Sequence, residues 1–298
     1  MKKRYLKVNV AQAITEFEIA IRRQVATRII GHYKSIFRGK GLEFESYREY
    51  TASDDANLID WKASIRAQQL LIKQYVEERD MKIFFLIDTS NSMVFGSTEK
   101  LKNEFTLEMT AALANFILKS GDRVGFALFN DKVIKEVPPG RGQRQLHLLI
   151  RSLIDPEVYG GRYNLDEVLR FMMSHLPKDI SLIIVFSDFI GPRNWTRTLK
   201  VLNQKIETIG IMVSDPRDRT LPQISGQIIL QDPYSDRTIL IDPSLIKNAY
   251  ERYTKAQEEQ IINAFKEARA DLVKVATEKS FVGPIVEFFR RRARRWSR

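Results

Sequence analysis

The sequence predicts an α/β protein with a doubly wound, mostly parallel sheet, and three observations carry that expectation. Residues 83–87, Ile-Phe-Phe-Leu-Ile, and residues 181–186, Ser-Leu-Ile-Ile-Val-Phe, are apolar with almost no polar alternation, as in strands buried on both faces. Each run ends abruptly in polar residues: Asp88 with Ser90 and Ser92 at alternate positions after the first, Ser187-Asp188 after the second. Between and beyond them, helical spacing alternates with further short apolar runs, the order expected of parallel strands joined by right-handed helical crossovers.

In chain order, Ile14, Phe17, Ile21, Val25 and Ile29 recur by threes and fours and predict a packing helix over 11–30. Residues 39–50 alternate enough to predict a strand. Residues 53–57, Ser-Asp-Asp-Ala-Asn, are turn chemistry leading into a short helix over 58–66, and residues 70–77 read as a second strand. After the central strand, Leu101, Phe105, Met109, Ala112, Leu113 and Phe116 trace one face of a long helix. A strand over 123–129, an Asn130-Asp131 hairpin turn and an edge strand over 132–137 follow. Pro138-Pro139-Gly140 is expected to break the chain before a helix carrying Leu146, Leu149, Ile150 and Leu153. Helices with Leu165, Val168, Leu169 and Met172, and with Trp195, Leu199 and Leu202, flank the strand at 181–186; another strand covers 207–213. Short strands at 226–230 and 238–241 precede a mostly helical tail from Asp242, in which Ile261, Phe265, Ala268, Leu272 and Val275 keep a four-three spacing.

Composition narrows the chemistry. The 298 residues, 44% hydrophobic, suffice for one large domain with an appendage, or for two modest domains. The expected divisions are an N-terminal helix and small β-containing segment over 1–80, the α/β domain over 81–215, and an appendage with a basic tail over 216–298. No cysteine is present, which excludes disulfides, thiolate zinc sites and a cysteine nucleophile. His32, His147 and His175 have no metal-ligand spacing. No window approaches the length of a membrane span, and Glu16 and Glu18 interrupt any signal-peptide core, so a cytoplasmic protein, free or peripheral at the membrane, is expected. The net charge of +11 is concentrated: residues 290–298 hold six arginines and no acid, leaving +5 for the rest.

Ligands in open α/β sheets bind outside the carboxyl ends of the strands, so Asp88, Ser90, Ser92 and Asp188 stand where a site is expected. One carboxylate and two hydroxyls after the first strand offer only oxygen donors, as Mg²⁺ requires. The competing reading is a set of caps on free backbone N–H groups.

The residues resemble a known family at this point. Asp88-x-Ser90-x-Ser92 after a buried strand, with Ser187-Asp188 after a later one, resembles the metal-ion-dependent adhesion site of von Willebrand factor A domains. The upstream text, Gly41-Leu42-Glu43-Phe44 with Arg48-Glu49-Tyr50, Asp54-Asp55, Ile59-Asp60-Trp61-Lys62-Ala63-Ser64 and Arg66, together with Asp215-Pro216-Arg217 and the basic tail, resembles the prokaryotic domain-of-unknown-function family 58. The resemblance implies a von Willebrand A-like domain, and a binding role beside a MoxR-type AAA+ ATPase in assembly or activation of a client protein. It implies Mg²⁺ or Mn²⁺ ligated by Ser90 and Ser92, with Asp88 and Asp188 ligating directly or through water. The family's threonine position is Tyr163 here, in Gly160-Gly161-Arg162-Tyr163-Asn164-Leu165, so Asn164 is the remaining candidate oxygen ligand.

Three functions are weighed. The first is a non-enzymatic protein-binding adaptor using the strand-end site. The second is a metal-dependent phosphohydrolase using Asp88, although the chain has neither an Asp-x-Asp pair there nor a Gly-x-x-x-x-Gly-Lys loop. The third acts through the tail, where Phe288, Phe289, Arg290, Arg291, Arg292, Arg294, Arg295 and Trp296 mix aromatic and cationic groups suited to an anionic membrane surface more than to nucleic acid. Arg48, Asp54, Asp55 and Arg66 are candidates for a partner surface. The structural alternative, favoured for this segment, buries Trp61 and pairs Arg66 with a carboxylate.

Overall fold

The structure, a computed structural model, describes residues 6–25, 43–51, 54–55, 58–76, 80–235 and 237–296, and describes side chains except at 23–25, 43–46, 73–76 and 293–296. The chain opens with α1 (Val10–Val25), then β1 (Glu43–Glu49), α2 (Trp61–Ala67) and β2 (Leu71–Val76). The regular part follows as β3 (Lys82–Asp88), α3 (Lys102–Lys119), β4 (Arg123–Phe129), β5 (Val133–Gly140), α4 (Gly142–Ile154), α5 (Leu165–His175), β6 (Leu182–Ser187), α6 (Thr196–Lys205) and β7 (Glu207–Ser214). A hairpin of β8 (Ile228–Gln231) and β9 (Thr238–Ile241), then α7 (Pro243–Ala268), β10 (Asp271–Ala276) and α8 (Val282–Trp296), complete it.

The central sheet has six strands in the order β10-β7-β6-β3-β4-β5, all parallel except the edge strand β5. Alternation along β3 distributes its side chains between two cores. Ile83, Phe85 and Ile87 join the core built with α1, α3, α4 and α8, while Phe84 and Leu86 join the one built with α5, α6 and α7. Both faces are therefore covered, which is why the strand reads as an unbroken apolar run. This is the doubly wound, mostly parallel α/β fold that the sequence predicts.

The long helix α3 departs from the amphipathic expectation, since Lys102, Asn103, Glu104 and Glu108 are buried along with its apolar stripe. Lys102 is buried toward the strand ends, whereas Glu104 and Glu108 are covered by α1 and the residues that lead into it. Glu18 on α1 accepts from Asn115 Nδ2 at 2.7 Å and Lys119 Nζ at 2.5 Å, and the backbone N–H groups of Lys7 and Asn9 donate to Glu104 and Glu108. Phe17 is fully buried against Phe116 and Phe281. The predicted end of this helix at residues 26–30 lies outside the described residues, as does the opening of the strand predicted over 39–50.

Two expectations need correction. Pro138-Pro139-Gly140 does not break the chain; β5 runs through it, with Gly140 level with Val124. Proline is tolerated there because β5 is an edge strand. Leu272 and Val275 do not continue the helical stripe of Ile261, Phe265 and Ala268. The helix ends at Arg269, whose φ of 56° reverses the chain, and residues 271–276 become β10, with Val273 level with Ile211. Residues 216–298 thus complete the central sheet, and a division after residue 215 would cut through it.

Candidate functional site

The crossovers set the site. From β3 the chain moves one way to β4 through α3, and from β6 the other way to β7 through α6, so β3 and β6 are neighbours at the point where winding reverses. Crevices form at the carboxyl ends of strands at such points. Ile87 is level with Phe186, which brings Asp88, Ser187 and Asp188 to one rim. Ser187 Oγ donates to Asp88 Oδ2 at 2.5 Å, and the Ser90 backbone N–H donates to Asp88 Oδ1 at 2.8 Å. The Ser90 and Ser92 hydroxyls lie 3.3 Å apart. All of these groups are buried.

The loop bearing Tyr163 closes one side. Gly160 and Gly161 take φ of 130° and 83°, which side chains rarely adopt; the Gly160 N–H donates to Thr89 O, and Asn91 N–H to Gly161 O. Tyr163 is buried, and its hydroxyl makes no hydrogen bond of good geometry among the described residues. Its ring lies against Gly191, where an added Cβ would stand 2.6 Å from Tyr163 Cδ1. Asn164 does not join the cluster: its side chain caps α5, accepting from the Glu167 N–H at 3.3 Å.

Lys102, Asp218 and Tyr234, which motif reasoning missed, complete the site. Lys102, the first residue of α3, is 1% exposed and donates to Asp188 Oδ2 at 2.7 Å and to Asp218 Oδ2 at 3.0 Å. The Asp188 Oδ1 atom accepts from the Ile190 N–H at 2.9 Å. Tyr234, in the turn between β8 and β9, donates its hydroxyl proton to Ile190 O at 2.8 Å, and the same oxygen lies 2.8 Å from Ser92 Oγ, whose hydroxyl can donate to it, and 3.4 Å from Ser90 Oγ. Asp215 holds the adjoining loops, accepting from Ser97 N, Ser97 Oγ, Arg217 N and Thr277 Oγ1. A signal for Lys102 was present in the sequence, for it sits three residues before Phe105 on the apolar stripe, where a charge needs a buried partner. Tyr234 had none, being 142 residues from Ser92.

Electrostatics follow from burial. Burial and the Asp188 charge push the Asp88 carboxyl up to about 7, against the hydrogen bonds from Ser187 and Ser90. Burial also raises Asp218, opposed by the Lys102 charge. Burial alone would lower Lys102, but Asp188 and Asp218 hold it above its ordinary value, so it is charged. Burial and the two acids Asp188 and Asp88 keep the Tyr234 phenol protonated.

A divalent ion requires oxygen ligands not already committed to another cation. Here Asp188 is paired to an ammonium, the serine hydroxyls are bonded to Tyr234, and the Tyr163 ring fills the neighbouring position. As arranged, these residues do not fit such an ion, and no group of three or more His, Asp or Glu side chains suited to a metal occurs among the described residues.

The other predicted residues separate. Arg48 and Asp54 form a bidentate pair at 2.7 and 2.6 Å, with Thr51 donating to the same carboxylate; the guanidinium and Thr51 hold Asp54 well below the usual carboxylate range. Asp55 is exposed, and its carbonyl accepts from the Leu58 N–H. Asp60 caps α2. Trp61 is not buried but 62% exposed, and Arg66 is exposed in the last turn with no ion pair among the described residues. Among the described residues none covers the face of this seven-residue helix that carries Trp61, which overturns the buried reading of Trp61. The tail splits too. Phe288 is buried in the core, Phe289 packs against it, and Arg292 is buried between Glu207 and Asp271, whereas Arg290 and Arg291 are exposed. The side chains of Arg294, Arg295 and Trp296 lie outside the described residues. Among the described residues, no helix is long and apolar enough to cross a membrane.

Comparison with known proteins sets this arrangement in context. The chain is 26% identical over 287 residues to the uncharacterized protein Rv1480 of Mycobacterium tuberculosis, spanning 95% of this chain and 90% of that one. It is 32% identical over 82 residues to the uncharacterized protein YeaD of Bacillus subtilis, spanning 28% of this chain and 19% of that one. Among solved structures, an aerotolerance-related membrane protein from Bacteroides fragilis is similar at a TM-score of 0.49 and 14% identity, over 71% of this chain and 99% of that one. A von Willebrand factor type A protein from Catenulispora acidiphila is similar at 0.37 and 15%, over 62% and 43%. Residues 46–260 match the family model described as Protein of unknown function DUF58, and the chain belongs to that family.

Proposed function

We propose that this protein is a non-catalytic adaptor that offers the strand-end rim of its central sheet to a partner protein. The observation that carries this reading is a cavity of about 400 Å³ beside the polar cluster, lined among others by Asp188, Phe189, Ile190, Arg193, Tyr250 and Tyr253. Ile190 and Tyr253 are 37% and 63% exposed. Exposed apolar groups bordered by charge mark contact surfaces, and tyrosine and arginine are the residues that most often dominate them. The acids and hydroxyls nearest the cavity are bonded to one another and to Lys102 and Tyr234. That arrangement suits a rigid recognition surface better than proton transfer, which needs a base aimed at substrate.

The family resemblance supports a MoxR-type AAA+ ATPase as the cytoplasmic partner, with assembly or activation of a client protein as the outcome. The test mixes the full chain with a purified MoxR-type ATPase from the same cells and measures affinity by calorimetry. Ile190→Arg, which puts a charge into the apolar lining, should weaken the complex by at least about tenfold. Equal affinity for wild type and variant would remove the rim from the interface, and phosphoester turnover abolished by Asp88→Ala would end the non-catalytic reading.

A further inference from the structure

Lysine is among the residues least often buried, and a cation at a helix N-terminus opposes the helix dipole. Lys102 is both, at the first position of α3 and 1% exposed. Only its partners make the placement tolerable: Asp188 Oδ2 at 2.7 Å, Asp218 Oδ1 and Oδ2 at 3.3 and 3.0 Å, and the face of the Phe95 ring 5.8 Å away. Three separate crossovers were needed to assemble this set, since Asp188 follows β6, Asp218 follows β7 and Lys102 follows β3. Above the serines, Tyr234 is anchored as firmly, for Asn91 Nδ2 donates to Pro233 O at 2.9 Å beside the phenol's own bonds to Ser92 and Ile190.

We infer that the Lys102 ammonium is the resident cation of this strand-end site and the Tyr234 hydroxyl its outer cap, so that the site holds its shape without Mg²⁺ or Mn²⁺. A divalent ion bound to Asp188 would face a positive charge already in hydrogen-bond contact with the same carboxylate, with little water to screen the repulsion. It would also have to displace the phenol from Ser92. The site is built from protein donors alone: each oxygen of Asp88 and of Asp188 accepts from a protein N–H or O–H. This inference concerns the same rim as the proposed interface but requires no partner, so its failure and that of the adaptor reading are separable.

The experiment titrates Mn²⁺ into the full chain and follows free Mn²⁺ by electron paramagnetic resonance, with melting curves recorded in Mg²⁺ and in chelator. Wild type should bind no Mn²⁺ at millimolar concentration and should melt identically in both solutions. Lys102→Met, which removes the ammonium and frees Asp188 while keeping the unbranched stem, should bind Mn²⁺ and melt higher in its presence. Stoichiometric Mn²⁺ binding by the wild type would overturn the inference, as would a folded Lys102→Met variant that binds none. If Lys102→Met does not fold, Tyr234→Phe decides: with the serines uncapped and Lys102 in place it should still bind no Mn²⁺, and binding would show that the ammonium does not occupy the cation's position.

Discussion

Asp88 binds a proton more readily in the folded protein than in the unfolded chain, because it is buried beside Asp188. The sign of the consequence follows from linkage: between the ordinary carboxylate value and about 7 the native state holds more protons, so stability falls as pH rises through that window. Asp88→Asn removes the penalty. It should stabilise the protein above neutral pH by roughly 1–3 kcal/mol, with the gain vanishing toward pH ~4, in denaturant titrations across that range. Asp88 itself was legible in the sequence, since a lone carboxylate ending an apolar strand has few places to go. Its neighbours were only partly so. Ser187 and Asp188 end a similar strand, but nothing in their local text said that a lysine, not a metal ion, would meet Asp188. Tyr163 was visible as a departure from the family's threonine. That it would be accommodated by the bare backbone of Gly191 depended on a contact between loops 28 residues apart.

At the scale of elements, α8 shows how a charge run divides by face. Its arginines read as one basic cluster, yet helical geometry points Arg292 inward to the ends of β7 and β10, where it meets Glu207 and Asp271, and leaves Arg290 and Arg291 outward. Both acids are about 40% exposed, so solvent weakens the pairs. Even so, removing the buried guanidinium leaves two like charges adjacent and a gap beside Phe288. Arg292→Met should therefore cost about 1–2 kcal/mol in chemical denaturation, while the exposed changes Arg290→Gln and Arg291→Gln should stay within about 0.5 kcal/mol. Likewise α3 had a legible apolar stripe, but its buried Glu104 and Glu108 each meet one partner close in sequence, the Leu101 N–H and Lys100, and one from far away, the backbone N–H groups of residues 7 and 9.

For the whole molecule, α1 at one end of the chain and β10 and α8 at the other belong to the α/β body. Helix α1 covers α3, and β10 pairs along β7 from Asp271↔Ile209 to Ala276↔Ser214. A chain ending at residue 215 would expose β7 as an unpaired apolar edge, an invitation to aggregation, and would lose Val273, Val275, Phe281 and Ile285 from the core. Such a truncation should be insoluble or lack a cooperative unfolding transition by circular dichroism, whereas the full chain should unfold in one step.

The sequence by itself determined the fold class, the strands and helices from 82 to 214 and the residues that end the central strands, because burial on two faces and helical periodicity are local patterns written in neighbouring positions. Tertiary structure alone decided what meets Asp188 and the two serines, that β10 joins the sheet, and that Trp61 lies open while Phe288 does not. Those outcomes depend on contacts between residues tens to more than a hundred positions apart, and no local spacing encodes which of several chemically adequate partners arrives.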